Sequence, residues 1–136
     1  MAQLVDSSVF IALERLDRDS AALAALGRGE LLAISSVTAS ELLFGVYRAN
    51  TLERRARRET FVEAVLAAFP VLSFDLLAAR AHARLWAHLA AAGQLIGERD
   101  LIIAAMAVAH GYDVLTENVG EFARVPGLVA RRPVWP

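Results

Sequence analysis

At 136 residues, 57 % hydrophobic and 21 % charged, the chain has room for one domain with a substantial core and is too apolar to be disordered. It has no cysteine and all 14 basic residues are arginine, which excludes disulfides, zinc–thiolate and iron–sulfur sites, the Gly-Lys-Ser/Thr phosphate loop and Schiff-base chemistry. A net charge of −1 excludes a surface that is basic throughout, so any polynucleotide must be met through a local arginine patch or a bound cation.

In chain order, Gln3 to Val5 read as a short apolar strand ending at Asp6, and Ser7 to Leu16 as a helix with Val9, Ala12, Leu13 and Leu16 at helical spacing. Ala21 to Leu26 give a second short helix, stopped by Gly27 and Gly29. Leu31 to Ile34 form an apolar strand, and Val37 to Ala49 a helix apolar around most of its girth, hence expected to be largely buried. Leu52 to Phe69 is a longer helix with a charged first half and Pro70 as its stop. Val71 to Phe74 follow as a strand, then the Ala-rich helix Asp75 to Ala92, a loop from Gln94 to Glu98, the helix Asp100 to His110, a strand at Val114 and Leu115, and a possible fifth strand at Leu128 to Ala130.

Short apolar strands alternating with helices, without period-two alternation, predict a parallel sheet buried on both faces, an α/β/α three-layer sandwich of four to five mainly parallel strands. The longest uninterrupted apolar run, Leu101 to Ala109, falls short of the roughly 18 residues of a membrane span. The opening Met-Ala-Gln-Leu-Val-Asp carries no basic region or apolar signal core, so no membrane partner and a cytoplasmic location are expected.

In such sheets ligands bind beyond the carboxyl ends of the strands. Asp6 ends the first strand, Glu41 lies early in the helix after the second, Asp100 opens the helix leading to the fourth, and Asn118, between Glu117 and Glu121, follows the fourth. Each also has a structural explanation. Asp6 can cap a helix, Thr38 to Glu41 fits a capping box, Asp100 suits a first helical turn, and Asn118 a turn. Together they imply repelling charges in apolar surroundings, with Arg48 two turns from Glu41 and Arg99 a quarter-turn from Asp100, both poorly placed to neutralise them. With no lysine, a divalent cation is the simplest neutraliser, and oxygen ligands suit Mg²⁺, for which Mn²⁺ can substitute.

Four segments carry a resemblance. Leu4-Val-Asp6-Ser-Ser-Val-Phe-Ile-Ala-Leu-Glu14 looks like the start of PIN-domain proteins. Ser36-Val-Thr-Ala-Ser-Glu41-Leu-Leu-Phe-Gly-Val46 resembles their second acidic motif, Gly97-Glu-Arg-Asp100-Leu-Ile-Ile-Ala-Ala-Met-Ala107 the third, and the stretch from Leu115 through Asn118 to Leu128 the fourth. In order, spacing and length the chain is similar to the VapC-type toxins of bacterial toxin–antitoxin pairs. Ser7 stands where threonine is usual, and Asn118 where many relatives have aspartate, leaving open whether Glu117 or Glu121 supplies that charge.

The resemblance implies a single PIN-like nuclease domain over residues 1–136, a metal-dependent endoribonuclease cutting single-stranded regions of RNA. It further implies a small DNA-binding antitoxin, whose cationic side chain is expected to reach the acids, and a homodimer within a larger antitoxin complex. In this reading Asp6, Glu41, Asp100 and Asn118 are catalytic. Asp6 and Asp100 ligate the cation, Glu41 binds a second cation or orients the attacking water, and Asn118 holds a water of the cation's shell. Hydrolysis then leaves a 5′-phosphate and a 3′-hydroxyl. The alternatives are a catalytically inert PIN-fold binding module and a small-molecule phosphohydrolase.

The histidines His82, His88 and His110 are expected to lie outside the chemistry, and Trp86 and Trp135 to anchor the core or an interface. Arg54, Arg55, Arg57 and Arg58 form either a solvated face, with Glu53–Arg57 and Arg55–Glu59 as i,i+4 pairs, or a phosphate-tracking patch or part of an antitoxin groove.

Overall fold

The computed structural model describes residues 2–135, so Met1 and Pro136, the ends of the expected domain, lie outside the described residues. The strand at the centre of the sheet is the first in the chain. β1 (Ala2–Val5) pairs in parallel with β2 (Leu31–Ser35) on one side and β4 (Asp113–Leu115) on the other. The two-residue strands β3 (Val71–Leu72) and β5 (Ala130–Arg131) pair with β2 and β4 and form the edges, giving the order β3-β2-β1-β4-β5 with every pairing parallel.

Among the described residues seven helices join them: α1 (Ser7–Arg15), α2 (Ser20–Leu26), α3 (Ser36–Arg48), α4 (Leu52–Ala68), α5 (Leu76–Ala91), α6 (Glu98–His110) and α7 (Val119–Phe122). Successive strand residues point to opposite faces, and the chain uses this to build two cores. Leu4 and Ala33 pack with Leu85 and Leu89 of α5 and Ile103 and Met106 of α6. Val5 and Ile34 pack on the other face with Val9, Phe10 and Leu13 of α1, Leu23 of α2 and Val65 of α4. The expected three-layer sandwich is what the chain forms. No helix among the described residues is long and apolar enough to cross a membrane.

One tight turn sets the register of the sheet's far side. Gly111 ends α6 with φ of 70°, a left-handed conformation that costs glycine nothing, and Tyr112 then donates its N–H to Ala107 at 2.8 Å. The chain passes straight from α6 into β4, which delivers Thr116 to the carboxyl edge beside β1.

Several expectations need correction. The third strand stops at Leu72 rather than Phe74, because it is an edge strand paired only through Val71 and Leu72, and Asp75 already caps α5 by accepting from Ala78 N–H at 2.9 Å. The fifth strand lies at Ala130–Arg131, and the single turn α7 was not expected. The helix read as largely buried is not. In α3 only Thr38, Ala39 and Val46 are buried, while Phe44 and Tyr47 are 62 % and 73 % exposed. It packs chiefly against α4, with smaller contacts to α1, α6 and the strands β2 and β3, so an apolar girth leaves an apolar stripe facing outward.

Candidate active site

Asp6 occupies the N-cap position of α1, yet its side chain caps nothing. It is 3 % exposed, and its Oδ2 accepts hydrogen bonds from Ser8 Oγ at 2.7 Å and Thr116 Oγ1 at 2.9 Å. Ser8 Oγ also accepts from the Glu117 N–H at 3.0 Å, and Thr116 Oγ1 from the Asn118 N–H at 2.9 Å. Two hydroxyls, neither singled out by the sequence reading, therefore tie the end of β1 to the loop after β4. The second oxygen of Asp6, Oδ1, is buried without a hydrogen-bond partner.

The helix α3 begins at Ser36 with Ser35 as its cap, so Glu41 sits past the first turn and cannot close a capping box. Its Oε2 lies 3.6 Å from Arg99 Nη1, and its Oε1 is buried without a partner. The ion pair overturns the expectation that Arg99 is badly placed. A quarter-turn away from Asp100 on α6 is the direction of α3, and only the packing of the two helices shows it. Burial, reinforced by the Asp6 charge, raises the Glu41 carboxyl above its ordinary range, with Arg99 opposing.

Asp100 stands in the first turn of α6. Burial first, then its hydrogen bond with Glu121 and the charges of Asp6, Glu121 and Glu41, push its carboxyl up to about 7. The same hydrogen bond, helped by the Asn118 amide, holds Glu121 below the usual carboxylate range. Asn118 Nδ2 donates to Glu121 Oε2 at 2.9 Å and lies 3.5 Å from Asp100 Oδ2, the limit of a hydrogen bond. The structure thus brings Asp6, Glu41, Asp100 and Asn118 within reach of one another's charge or hydrogen bonds. It adds Glu121 rather than Glu117.

Glu117 is held elsewhere. Its Oε1 accepts from the Trp135 indole N–H at 2.7 Å, and Trp135 packs on the core beneath α1. Trp135→Phe keeps an aromatic ring but removes the pyrrole and its N–H donor. It is expected to lower the unfolding free energy by at least about 1–2 kcal/mol, the hydrogen bond together with the lost packing, read from the urea midpoint. An unchanged midpoint would mean that the bond contributes nothing. The histidines stay outside the site, as expected. His82 lies between the rings of Phe74 and Trp86 at 5.8 and 5.7 Å, and His110 Nε2 lies 3.7 Å from Asp75 Oδ2.

The sequence profile of the PIN domain family matches residues 4–128. The chain belongs to the PIN domain family. This PIN domain is 36 % identical over 128 residues to Ribonuclease VapC1 of Rickettsia felis, covering 94 % of this chain and 93 % of that protein. It is 38 % identical over 126 residues to Ribonuclease VapC5 of Mycobacterium tuberculosis, covering 93 % and 89 %. A chain in the crystal structure of VapBC2 from Rickettsia felis, bound to a DNA fragment from their promoter, matches with a TM-score of 0.83 at 25 % identity, covering 97 % of this chain and 98 % of that one.

The residues of this PIN domain fit a divalent cation. Asp6 and Glu41 each leave a buried carboxylate oxygen unsatisfied, and burial, reinforced by its acidic neighbours, raises the Asp100 carboxyl to about 7. As the side chains stand, no three Asp, Glu or His among the described residues close into a ready-made cage. A magnesium-type ion keeps several waters and takes only one or two carboxylates, so an open arrangement of hard oxygens suits it.

Proposed function

We propose that this PIN domain is a ribonuclease toxin, a Mg²⁺- or Mn²⁺-dependent endoribonuclease that hydrolyses phosphodiester bonds in single-stranded parts of structured RNA. In this reading a small DNA-binding antitoxin neutralises it within an assembly built on a homodimer. The observation that carries the activity is the pair of buried, unpartnered oxygens on Asp6 and Glu41, beside an Asp100 carboxyl raised to about 7. Such groups are costly unless something positive joins them. An inert binding module gives them nothing to do. The identity to VapC ribonucleases supports the activity, and the likeness to VapBC2 supports the antitoxin.

Asp6 and Asp100 would hold the cation. Bound there, it offsets the charge developing on the scissile phosphate and lowers the pKa of water so that hydroxide is available near neutral pH. The Ser8 and Thr116 hydroxyls fix Asp6 by engaging one oxygen and leaving the other free. Glu41, steadied by Arg99, orients the attacking water or holds a second cation. Asn118 positions Glu121 and Asp100 against each other and offers its amide to a water. Attack by the water oxygen in line with the P–O3′ bond forms the new P–O bond on the downstream fragment, which keeps the phosphate on its 5′ oxygen. P–O3′ breaks, and the upstream fragment leaves with its 3′ oxygen, which takes up the proton the water gives up.

The purified protein is expected to cleave an RNA carrying a single-stranded loop when Mg²⁺ or Mn²⁺ is added and to stop with EDTA, leaving ends that a 5′-phosphate-dependent exonuclease degrades. Cleavage indifferent to EDTA, or 2′,3′-cyclic phosphate ends, would sink the metal mechanism.

A further inference from the structure

Half of the arginines in this chain line one path across its surface. The path starts at Glu41, in a groove of about 590 Å³ between α1 and α3 whose walls carry Arg15, Arg48 and Arg99. The Glu14–Arg58 ion pair, 3.0 Å long, forms a wall shared with a second groove of about 360 Å³, where Arg18, Arg54 and Arg57 stand around Phe61. Arg18 and Arg57 are shared in turn with a third groove, which runs on to Asp19 and Thr60.

Seven arginines meet four carboxylates along the way, in a chain whose net charge is −1. Three of those carboxylates are already engaged, Glu14 by Arg58, Glu41 by Arg99, and Asp19 by the Ala22 N–H that it caps. Arg54, Arg58 and Arg99 are engaged by Asn50, Glu14 and Glu41, and among the described residues the other four are free of such partners. Arg15, Arg18, Arg48 and Arg57 are exposed and make no ion pair or side-chain hydrogen bond among the described residues. Neither Glu53–Arg57 nor Arg55–Glu59 forms as an ion pair, and Arg55 instead donates to the Tyr47 carbonyl at 3.0 Å. Beside the first groove the Arg48 guanidinium lies 5.5 Å from the centre of the Phe44 ring, which is largely exposed, as is Tyr47.

A row of free guanidiniums is suited to successive phosphates, and exposed aromatic faces beside it are suited to unstacked bases. A helical protein partner would ask for a continuous apolar floor; the first groove carries Ile11, Leu42 and Phe44, but the second breaks the run with Phe61 alone among charged side chains. We propose that this path is the track along which a single-stranded arm of the RNA leaves the carboxylate site, with its near phosphates on Arg15 and Arg48 and its far ones on Arg57 and Arg18. The track rests on the ribonuclease reading and adds that the protein holds its substrate well beyond the bond it cuts.

The test compares wild type with the double variant Arg18→Ala/Arg57→Ala on a long RNA with a single-stranded arm and on a short oligoribonucleotide. The control is Arg80→Ala/Arg84→Ala on α5, across the sheet. In the double variant KM for the long RNA rises several-fold relative to that for the short one. The plot of log kcat/KM against log salt becomes shallower by roughly 0.7 for each arginine removed. Equal losses on both RNAs, or an unchanged ratio and slope, overturn the track. So does a variant that treats RNA as wild type does but no longer binds a protein partner. If wild type cleaves neither RNA, the ribonuclease reading fails, and fluorescence anisotropy of the long RNA then decides the track by itself. Weaker binding by the double variant alone supports it, and equal binding by both variants overturns it.

Discussion

Asp6→Asn is expected to fold as the wild type does and to cleave RNA slower by roughly 10²–10³-fold or more, the scale on which removing one preorganised charge-stabilising group acts. The separation of the two effects follows from the hydrogen bonds. Ser8 and Thr116 donate to a single oxygen of Asp6, which an amide oxygen can replace, and the substitution removes charge from the oxygen that no protein group satisfies. Without divalent cations the melting temperature should be equal to or above that of wild type, since the neighbouring carboxylates lose a source of repulsion. Melting by circular dichroism and cleavage by gel assay check the two halves. A variant that cuts RNA at the wild-type rate would leave the metal mechanism without its central residue.

The second large effect is on stability against pH. Asp100 is raised from its ordinary 3.8 to about 7 in the fold, so between those values the folded state binds more protons than the unfolded chain. Its contribution is therefore favourable in acid and is lost as pH rises toward 7, and Glu41, also raised, acts in the same sense. Glu121 is lowered and acts in the opposite sense, stabilising above its unfolded pKa and losing that contribution in acid. With EDTA present, the melting temperature is expected to fall from pH 5.5 to pH 7.5. Millimolar Mn²⁺ should recover the loss at the upper end by binding the folded state and should release protons as it binds. Two superimposable melting profiles, with and without Mn²⁺, would speak against a shared cation site.

Much of this was legible in the sequence because the informative residues lie at the ends of regular elements. Asp6 follows an apolar run that can only be a buried strand, and Asp100 opens a helix with no polar face, so both can be placed without a structure. The departures have one origin, which is contact between distant segments. Arg99 finds Glu41 across the α3–α6 contact, and periodicity along either helix is silent about it. Glu117 and Glu121 look equivalent in the sequence. Trp135, at the far end of the chain, binds the first, and the turn of α7 presents the second to Asn118. The exposure of Phe44 and Tyr47 was likewise hidden, because an apolar girth tells how much surface could be buried and not how much neighbouring surface exists.

The pairing of β1 with β4 has a consequence for synthesis. The bond from Thr116 to Asp6 joins residues 110 positions apart, and the central strand β1 leaves the ribosome before the other four strands of its sheet. Contacts of such sequence separation form late and slowly. While the chain is being made, β1 lacks the neighbour that turns Asp6, and Asp100 has neither Asn118 nor Glu121 beside it. A nascent chain therefore carries no assembled carboxylate site until β4 and the loop after it have emerged and docked.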